Sequence, residues 1–251
     1  MLLRSLHVSL LLVLVGSAAQ GRPRLPRTSR EVQKGLTVAY RLARGRSTQD
    51  HKATTDAFVR ALGKHDRFLP GHSLRTSAYA RVIARELGLD TQKVTTVDLA
   101  GRVHDLGKLG VSASVLRDAS AHLSAPDWTA IHGHPMVGDR MLREIPWMKR
   151  IRVAASAHHE SFGGGGYPRN LRGKRIPLLG RILAVADTFD AMTTTRTYHQ
   201  ALSPQQAVSR LRELAGTRLD PVIVESFLRA LPTSPLGQAA LRWAQRSSSI
   251  R

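Results

Sequence analysis

The chain contains no cysteine, and aromatic residues make up only 5% of its 251 residues. The absence of cysteine excludes disulfide bonds, thiolate nucleophiles and cysteine-ligated zinc, so any metal ion must be held by histidine, aspartate or glutamate. Acidic residues are also few, because 18 of them face 38 lysines and arginines, which gives a formal net charge of +20. This charge favours acidic partners such as nucleic acid, phosphorylated small molecules or anionic lipid, unless it reflects codon bias in a GC-rich genome. No recognition motif or aromatic platform accompanies it, so no specific nucleic acid is expected.

The N-terminal residues 1–19 combine a basic start at Arg4, an apolar stretch over residues 10–15 and small residues after it. This is the outline of a secretory signal peptide, and it is short for a membrane-spanning helix, which needs about 20 apolar residues. The arginines that follow favour a downstream chain on the cytoplasmic side. Three interpretations stay open: a cleaved signal, a short membrane anchor, or an upstream remnant or misplaced start. We expect a cytoplasmic domain, with the N-terminal segment as a candidate anchor to the inner membrane.

Helical periodicity dominates the rest of the chain, and the apolar content of 42% is enough for a core. Cap and breaker residues, among them Ser29, Thr91, Ser124 and Ser203, set the expected helix starts. The predicted helices lie near residues 30–43, 52–62, 73–87, 91–103, 112–116, 125–132, 146–159, 177–194, 204–216 and 221–231. No strand and no internal repeat is visible, so the predicted fold is all-α. We expect a signal-like or anchor segment with a basic linker at 1–30, one domain at 31–231 and a C-terminal tail at 232–251.

The central motif is Val103-His104-Asp105-Leu106-Gly107-Lys108, which brings an imidazole, a carboxylate and an ammonium close together. Adjacent residues cannot share one helix face unless the helix ends there. We attribute that end to Gly107, because glycine readily adopts the left-handed conformation that closes helices. Neutral imidazole and carboxylate are ligands for divalent transition metals, and Lys108 would then contact an anion held by the metal. The alternative is a chance pair of histidine and aspartate.

Further candidate ligands lie near predicted helix ends or beside loops, where several helices can bring them to one bundle core. The full candidate set is His72, His104, Asp105, His134, His158, His159 and Asp187. After the paired histidines, four glycines at 163–166 and Tyr167-Pro168 cannot continue a helix, so they form a loop that borders the site or a flexible linker. Asp187 and Asp190 share one helix face at i and i+3.

The candidate ligands lie within a series of short sequence motifs. In chain order these are Gly71-His72-Ser73, His104 to Val111, His134-Pro135-Met136-Val137-Gly138, His158-His159-Glu160, Gly165-Gly166-Tyr167-Pro168, Ile176-Pro177, Arg181 to Met192, Arg196 with Tyr198, and Leu219-Asp220-Pro221. In this order the chain resembles the HD-GYP family, a branch of the HD-domain metallohydrolases, over residues 53–231. The resemblance implies an HD-domain helical bundle with a glycine-rich GYP loop. It also implies two or three iron (Fe) or manganese (Mn) ions and hydrolysis of cyclic di-GMP to linear pGpG or onward to GMP.

The resemblance also implies roles for individual residues. Asp105 would bridge two metal ions, with His72, His104 and Asp187 around one ion and His134, His158 and His159 around the other, although this division is left open. Such a pair supplies the hydroxide nucleophile and the charge neutralisation that phosphodiester hydrolysis needs. Lys108 would face the scissile phosphate, Asp190 the attacking water and Arg196 a phosphate. The remaining substrate contacts would come from Gly166, Tyr167 and Tyr198, and the GYP loop would also bind GGDEF-domain partners.

Three positions depart from the family pattern. Phe68 stands where three-metal members carry a glutamate, so two ions are expected. Gly163 stands where an aspartate is usual, and His199 where a basic residue is usual, which could weaken phosphate binding near neutral pH. The alternatives are therefore an HD-type phosphohydrolase of another cyclic dinucleotide or nucleotide, and a weakly active HD-GYP scaffold that binds signalling partners.

Overall fold

The computed structural model describes residues 28–45, 47–117, 123–195, 200–233 and residue 238. These residues form helices connected by turns and loops, and within them the single strand-like pairing is an isolated bridge between Ala215 and Leu219. The all-α prediction is confirmed. The helices are α1 (Arg30–Leu42), α2 (Thr48–His65), α3 (Leu69–Glu86), α4 (Thr91–Val103), α5 (Ala113–Arg117), α6 (Ala125–Arg143), α7 (Lys149–Ala155), α8 (Leu178–Thr193), α9 (Pro204–Leu214) and α10 (Pro221–Ala230), with 3-10 helices at Leu106–Gly110, Pro146–Met148 and Gly173–Arg175.

Serine side chains cap several helices, as the sequence predicts. Ser29 accepts a hydrogen bond from a first-turn amide of α1, and Ser124 and Ser203 form capping boxes at α6 and α9. Each such cap contributes about 1 kcal/mol to stability. At α4 the prediction was wrong by one residue, because Asp90 rather than Thr91 accepts the bond, from the amide of Lys93.

Two helices near the candidate ligands extend further than predicted. Helix α3 begins at Leu69, since Pro70 stands in its first turn, where a missing N–H costs nothing. His72 therefore lies inside this helix and not on a loop before it. Helix α6 continues through Pro135 to Arg143, whereas the predicted helix at 146–159 is α-helical only over Lys149–Ala155.

Gly107 has a different role from the predicted one. Its φ is not positive, and α4 ends before it, with His104 as the capping residue. A side chain at Gly107 would instead collide with the backbone carbonyl of His134 and the amide of Gly138 in α6. Glycine is required here because the backbone of the 3-10 helix packs directly against the backbone of α6, with no room for a side chain. This close packing brings His104 and His134 into one cavity.

The core joins α3, α8 and α10 through a cluster of aromatic rings. Tyr79, Phe189 and Phe227 are buried, and their ring centroids lie 5.0 to 5.8 Å apart in edge-to-face arrangement. Ion pairs with buried aspartates join other helices, since Arg181 of α8 bonds Asp220 before α10 and Arg152 of α7 bonds Asp139 of α6. These contacts fix α3 and α8, the two helices that carry His72 and Asp187.

The predicted N-terminal segment and most of the predicted tail lie outside the described residues. Among the residues that are described, no helix has both the length and the apolar character needed to cross a membrane. The proposed domain boundaries at residues 31 and 231 stay predictions.

Candidate metal centre

The seven candidate ligands converge on one buried cavity from several elements of the bundle. His72 comes from α3, His104 and Asp105 from the end of α4, and the others from α6, the segment after α7 and α8, namely His134, His158, His159 and Asp187. The side chains of His104 and Asp105 are each 1% exposed. This burial excludes an ordinary solvated role for the pair.

The ligand atoms form two triads, and a third group of His104, Asp105 and His158 connects them. His72, His104 and Asp187 make the first triad, and His134, His158 and His159 make the second; the ligand atoms of each lie within 4.8 Å of one another. In the first triad, Nε2 of His72 lies 3.0 Å from Oδ1 of Asp187 and 3.2 Å from Nε2 of His104.

Asp105 lies between the two triads and directs one oxygen toward each. Its Oδ2 is 3.4 Å from Nε2 of both His72 and His104, and its Oδ1 is 3.4 Å from Nε2 of His134. A carboxylate with one oxygen facing each ligand group is the arrangement that a bridging ligand requires.

Backbone carbonyls orient three of the histidines in the same way. Nδ1 of His104, His134 and His158 lies 2.8, 2.6 and 2.5 Å from the carbonyl oxygen three residues earlier in each case. Because that nitrogen donates its proton to the carbonyl, Nε2 keeps its lone pair and faces the cavity. Second-shell bonds of this kind are typical of histidines that bind metals.

Three buried atoms at the centre lack a hydrogen-bond partner within the described part of the chain: Oδ1 of Asp105, Nε2 of His134 and Nε2 of His158. Leaving a buried acceptor unsatisfied costs about 1–3 kcal/mol, so native structures almost always provide a partner. The three orphaned atoms face each other across the cavity. A divalent cation would satisfy all of them, and the nitrogen and oxygen donor set fits such an ion.

The protonation states of two histidines of the second triad, His158 and His159, also suit a metal. Burial lowers the pKa of His158 to about 3, helped by the neighbouring His104, and burial likewise lowers the pKa of His159 well below its usual value. Both imidazoles are neutral at physiological pH and ready to ligate. The carboxyl of Asp105 is ionised because Lys108 and His104 outweigh its burial and hold its pKa well below the usual value.

His72 differs from the other histidines. Burial alone would lower its pKa, but hydrogen bonds to Asp105, Asp187 and Asp190 outweigh burial and raise the pKa to about 10. In the metal-free protein His72 is therefore a cation among three carboxylates at neutral pH. A metal ion bound to its Nε2 must displace that proton.

Metal binding at about pH 8 should release about one proton per chain, because His72 is the ligand whose proton the metal displaces. Calorimetric titrations in buffers of different ionisation enthalpy measure this number. The release should decline as the pH rises through about 10, the pKa of His72. The His72→Gln variant, which lacks the proton, serves as the control and should release little. A release that is unaffected by the substitution would contradict the assignment.

Asp190 contacts Nδ1 of His72, the ring nitrogen opposite the one that faces Asp105 and Asp187. It is fully buried, and its two oxygens bond Nδ1 of His72 at 2.7 Å and Nε of Arg75 at 2.6 Å. Arg75 was missed by the sequence reasoning, although it lies one turn after His72 on the same helix face. With both oxygens engaged, the geometry favours a positioning role for Asp190, and its direct action on water stays a prediction.

The Asp190→Asn variant should bind metal about 10- to 100-fold more weakly, as is typical when an orienting partner of a ligand is weakened. Competition with a chromogenic chelator measures the affinity. Asp220→Asn is a matched control, because Asp220 is also buried and paired with an arginine but lies outside the cavity. An unchanged metal affinity with a reduced kcat at saturating metal would instead support the predicted role on water.

Lys108 lies at the edge of the centre. Its Nζ is 2.6 Å from Oδ2 of Asp105, and its side chain is 17% exposed. Lys108 therefore lies between the buried carboxylate of Asp105 and the open side of the cavity, where an anion can reach its ammonium group.

The GYP loop closes the other side of the centre. The ring of Tyr167 packs against His159 with centroids 4.8 Å apart, and burial raises the pKa of its hydroxyl, which stays protonated. A side chain at Gly166 would meet the backbone of Glu160 and Ser161, so only glycine fits there.

Hydrogen bonds hold this loop in place. Both oxygens of buried Glu160 accept backbone amides, from Arg169 at 2.7 Å and Leu171 at 2.8 Å, and the amide of Gly163 donates to Thr217 at 2.6 Å. The alternative of a flexible linker is not what the structure shows. The other predicted contacts, Arg196 and Tyr198, and the departure at His199 lie outside the described residues.

Comparisons with known proteins agree with this arrangement. The family model described as "HD domain" matches residues 56–223. A 3'3'-cGAMP-specific phosphodiesterase 3 of Vibrio cholerae is 32% identical over 210 residues, covering 80% of this chain and 45% of that protein. A cyclic di-GMP phosphodiesterase of the same organism is 31% identical over 210 residues, covering 80% of this chain and 40% of that protein. The chain thus spans less than half the length of these two relatives.

A solved structure shares the fold. An HDG"Y"P protein of Bdellovibrio bacteriovorus superposes with a TM-score of 0.56 at 16% identity, covering 91% of this chain and 80% of that chain. HD-domain phosphodiesterases depend on metals, and the buried groups of histidine and aspartate described above can hold metal ions. The chain belongs to the HD domain family, in its HD-GYP branch.

Proposed function

We propose that the chain is a metal-dependent phosphodiesterase that hydrolyses cyclic di-GMP to pGpG, GMP or both. The observation that carries this proposal is the position of Asp105 between two ligand triads, with one oxygen toward each. A centre of two divalent ions, once bound, lowers the pKa of water and neutralises charge on the phosphoryl oxygens.

The ligand assignment follows the two triads. His72, His104 and Asp187 would hold one ion, and His134, His158 and His159 the other, with Asp105 shared between them. Imidazole and carboxylate donors without thiolate suit iron or manganese, which we propose as the metals. Phe68 stands where three-metal family members carry a glutamate, and its side chain offers no oxygen ligand. This supports two ions and not three.

The chain's own residues would bind and orient the phosphodiester. Lys108 stands between Asp105 and the open side, where its ammonium would neutralise the scissile phosphate. Gly166 and Tyr167 would form one wall of the substrate site, and the protonated hydroxyl of Tyr167 can donate a hydrogen bond. Arg196 and Tyr198 are proposed as further phosphate and substrate contacts from their positions in the family strings.

The choice of cyclic dinucleotide is open to a direct test, since curated relatives of similar identity are named for cyclic di-GMP and for 3'3'-cGAMP. Purified protein, loaded with Fe or Mn without oxygen, is incubated with each dinucleotide, and products are resolved by chromatography. Appearance of pGpG or GMP from cyclic di-GMP supports the proposal. Turnover of 3'3'-cGAMP alone would change the substrate, and bound metal without turnover of either would contradict it.

A scaffold role is the second candidate, supported by the exposed glycines of the GYP loop and the departures at Gly163 and His199. The loop would bind GGDEF-domain proteins. In either role, residues 6–19 would anchor the chain to the inner membrane with its domain in the cytoplasm. The Asp105→Asn variant separates the candidates in cells, because an unchanged cellular effect would support the scaffold.

A further inference from the structure

A second cavity adjoins the metal centre on the side away from the GYP loop. It has a volume of about 240 Å³ and lies between the start of α3, the 3-10 helix at Leu106–Gly110, α5 and the end of α8. His72 and Lys108 line both this cavity and the metal centre. A ligand in the cavity would therefore be in reach of the groups that face the scissile phosphate.

The cavity is strongly cationic. Arg67, Arg75, Lys108 and Arg117 line it, and among the described residues Asp66 is the one carboxylate in the lining; its Oδ1 already accepts a hydrogen bond from the amide of Phe68. Arg75 and Lys108 are paired with Asp190 and Asp105. Within the described residues, Arg67 and Arg117 form no ion pair with a carboxylate, so their charge is available to an anion.

Phe68 gives the cavity an aromatic rim. Phe68 is 37% exposed, and the guanidinium carbon of Arg67 lies 5.0 Å from its ring centroid. Four cationic side chains repel a further metal ion, while guanidinium groups beside an aromatic face suit a phosphate attached to a planar base. The volume is below the 300–1,000 Å³ typical of sites that enclose a whole drug-sized ligand, so the cavity suits only part of a dinucleotide.

We propose that this cavity, here called the arginine pocket and lined by Arg67, Phe68, Arg75, Lys108 and Arg117, binds the second phosphate of the cyclic dinucleotide, the one that is not cleaved. This inference rests on the proposed function. Both phosphates of such a substrate belong to one small ring, so a pocket that shares Lys108 with the metal centre can hold one phosphate while the other faces the metals. Phe68 contacts the adjoining sugar or base.

The test uses the double variant Arg67→Gln/Arg117→Gln, because these arginines are outside the metal ligands and their partners. Arg60→Gln is the control, since Arg60 is an exposed arginine that does not line the pocket. Equilibrium binding of cyclic di-GMP to the metal-free proteins is measured first. Hydrolysis of cyclic di-GMP is then compared with hydrolysis of bis(p-nitrophenyl) phosphate, which has a single phosphate, on the metal-loaded proteins.

We expect the double variant to bind cyclic di-GMP about tenfold more weakly and to show a similar rise in KM, because two charge-assisted contacts are lost. Its hydrolysis of bis(p-nitrophenyl) phosphate should be unchanged, and Arg60→Gln should match the unmodified protein. Unchanged binding of cyclic di-GMP by the double variant would overturn the arginine pocket. Failure of the unmodified protein to hydrolyse either compound would instead overturn the proposed function, and the binding comparison would still decide the pocket.

Discussion

The Asp105→Asn variant is expected to lose phosphodiester hydrolysis by about a thousandfold or more. Asparagine keeps the shape of the side chain but not the second anionic oxygen, so the two triads lose their shared ligand. Lys108 also loses the carboxylate that its Nζ contacts at 2.6 Å. Metal content by mass spectrometry and hydrolysis of bis(p-nitrophenyl) phosphate, measured on one preparation, report both effects.

Asp139→Asn is the matched control for this substitution. Asp139 is as buried as the ligands, and its oxygens bond Arg143 at 2.9 Å and Arg152 at 2.6 Å, outside the metal cavity. This variant should lose stability while retaining metal and kcat. If Asp105→Asn kept both metal ions and most of the hydrolysis, Asp105 would not be the bridging ligand.

Removal of the metal should lower the melting temperature by about 5–10 °C. Free metal at a hundred times its Kd raises the free energy of unfolding by about 2.7 kcal/mol. For a chain of this size, each kcal/mol of stability shifts the melting temperature by roughly 2–4 °C. The physical reason is the cavity itself, where Asp105, His134 and His158 each bury an atom that has no hydrogen-bond partner among the described residues. Thermal unfolding after chelation and after return of Mn²⁺ measures the shift.

The control for this measurement is the His158→Gln variant, which lacks one ligand of the second triad. Its melting temperature should respond less to added Mn²⁺ than that of the unmodified protein. An equal response in both proteins would place the stabilising ion elsewhere in the chain.

The helices, and the candidate ligands that the fold brings together, could be predicted from the sequence because their signals are local. Serine caps, apolar periodicity and the order of the histidine strings each depend on a few neighbouring residues. The grouping of the ligands was left open, since it depends on how α3, α6 and α8 pack. The structure brings together the same two triads that the resemblance suggested.

The errors arose where a residue acts across the fold. Gly107 looked like a helix terminator, but its function is close contact with α6, a partner about 30 residues away that no local pattern reveals. The sequence reasoning also missed that His72 and Arg75 bond the two oxygens of Asp190, while the role on the attacking water that the resemblance implied for Asp190 stays a prediction. A one-turn spacing between His72 and Arg75 was the available signal for that network.

Anomalous diffraction from a crystal of the metal-loaded protein tests the central claim most directly. The account predicts two separate metal peaks, one among His72, His104 and Asp187 and the other among His134, His158 and His159, with Asp105 contacting both. A single peak, or a peak that does not contact Asp105, would contradict it.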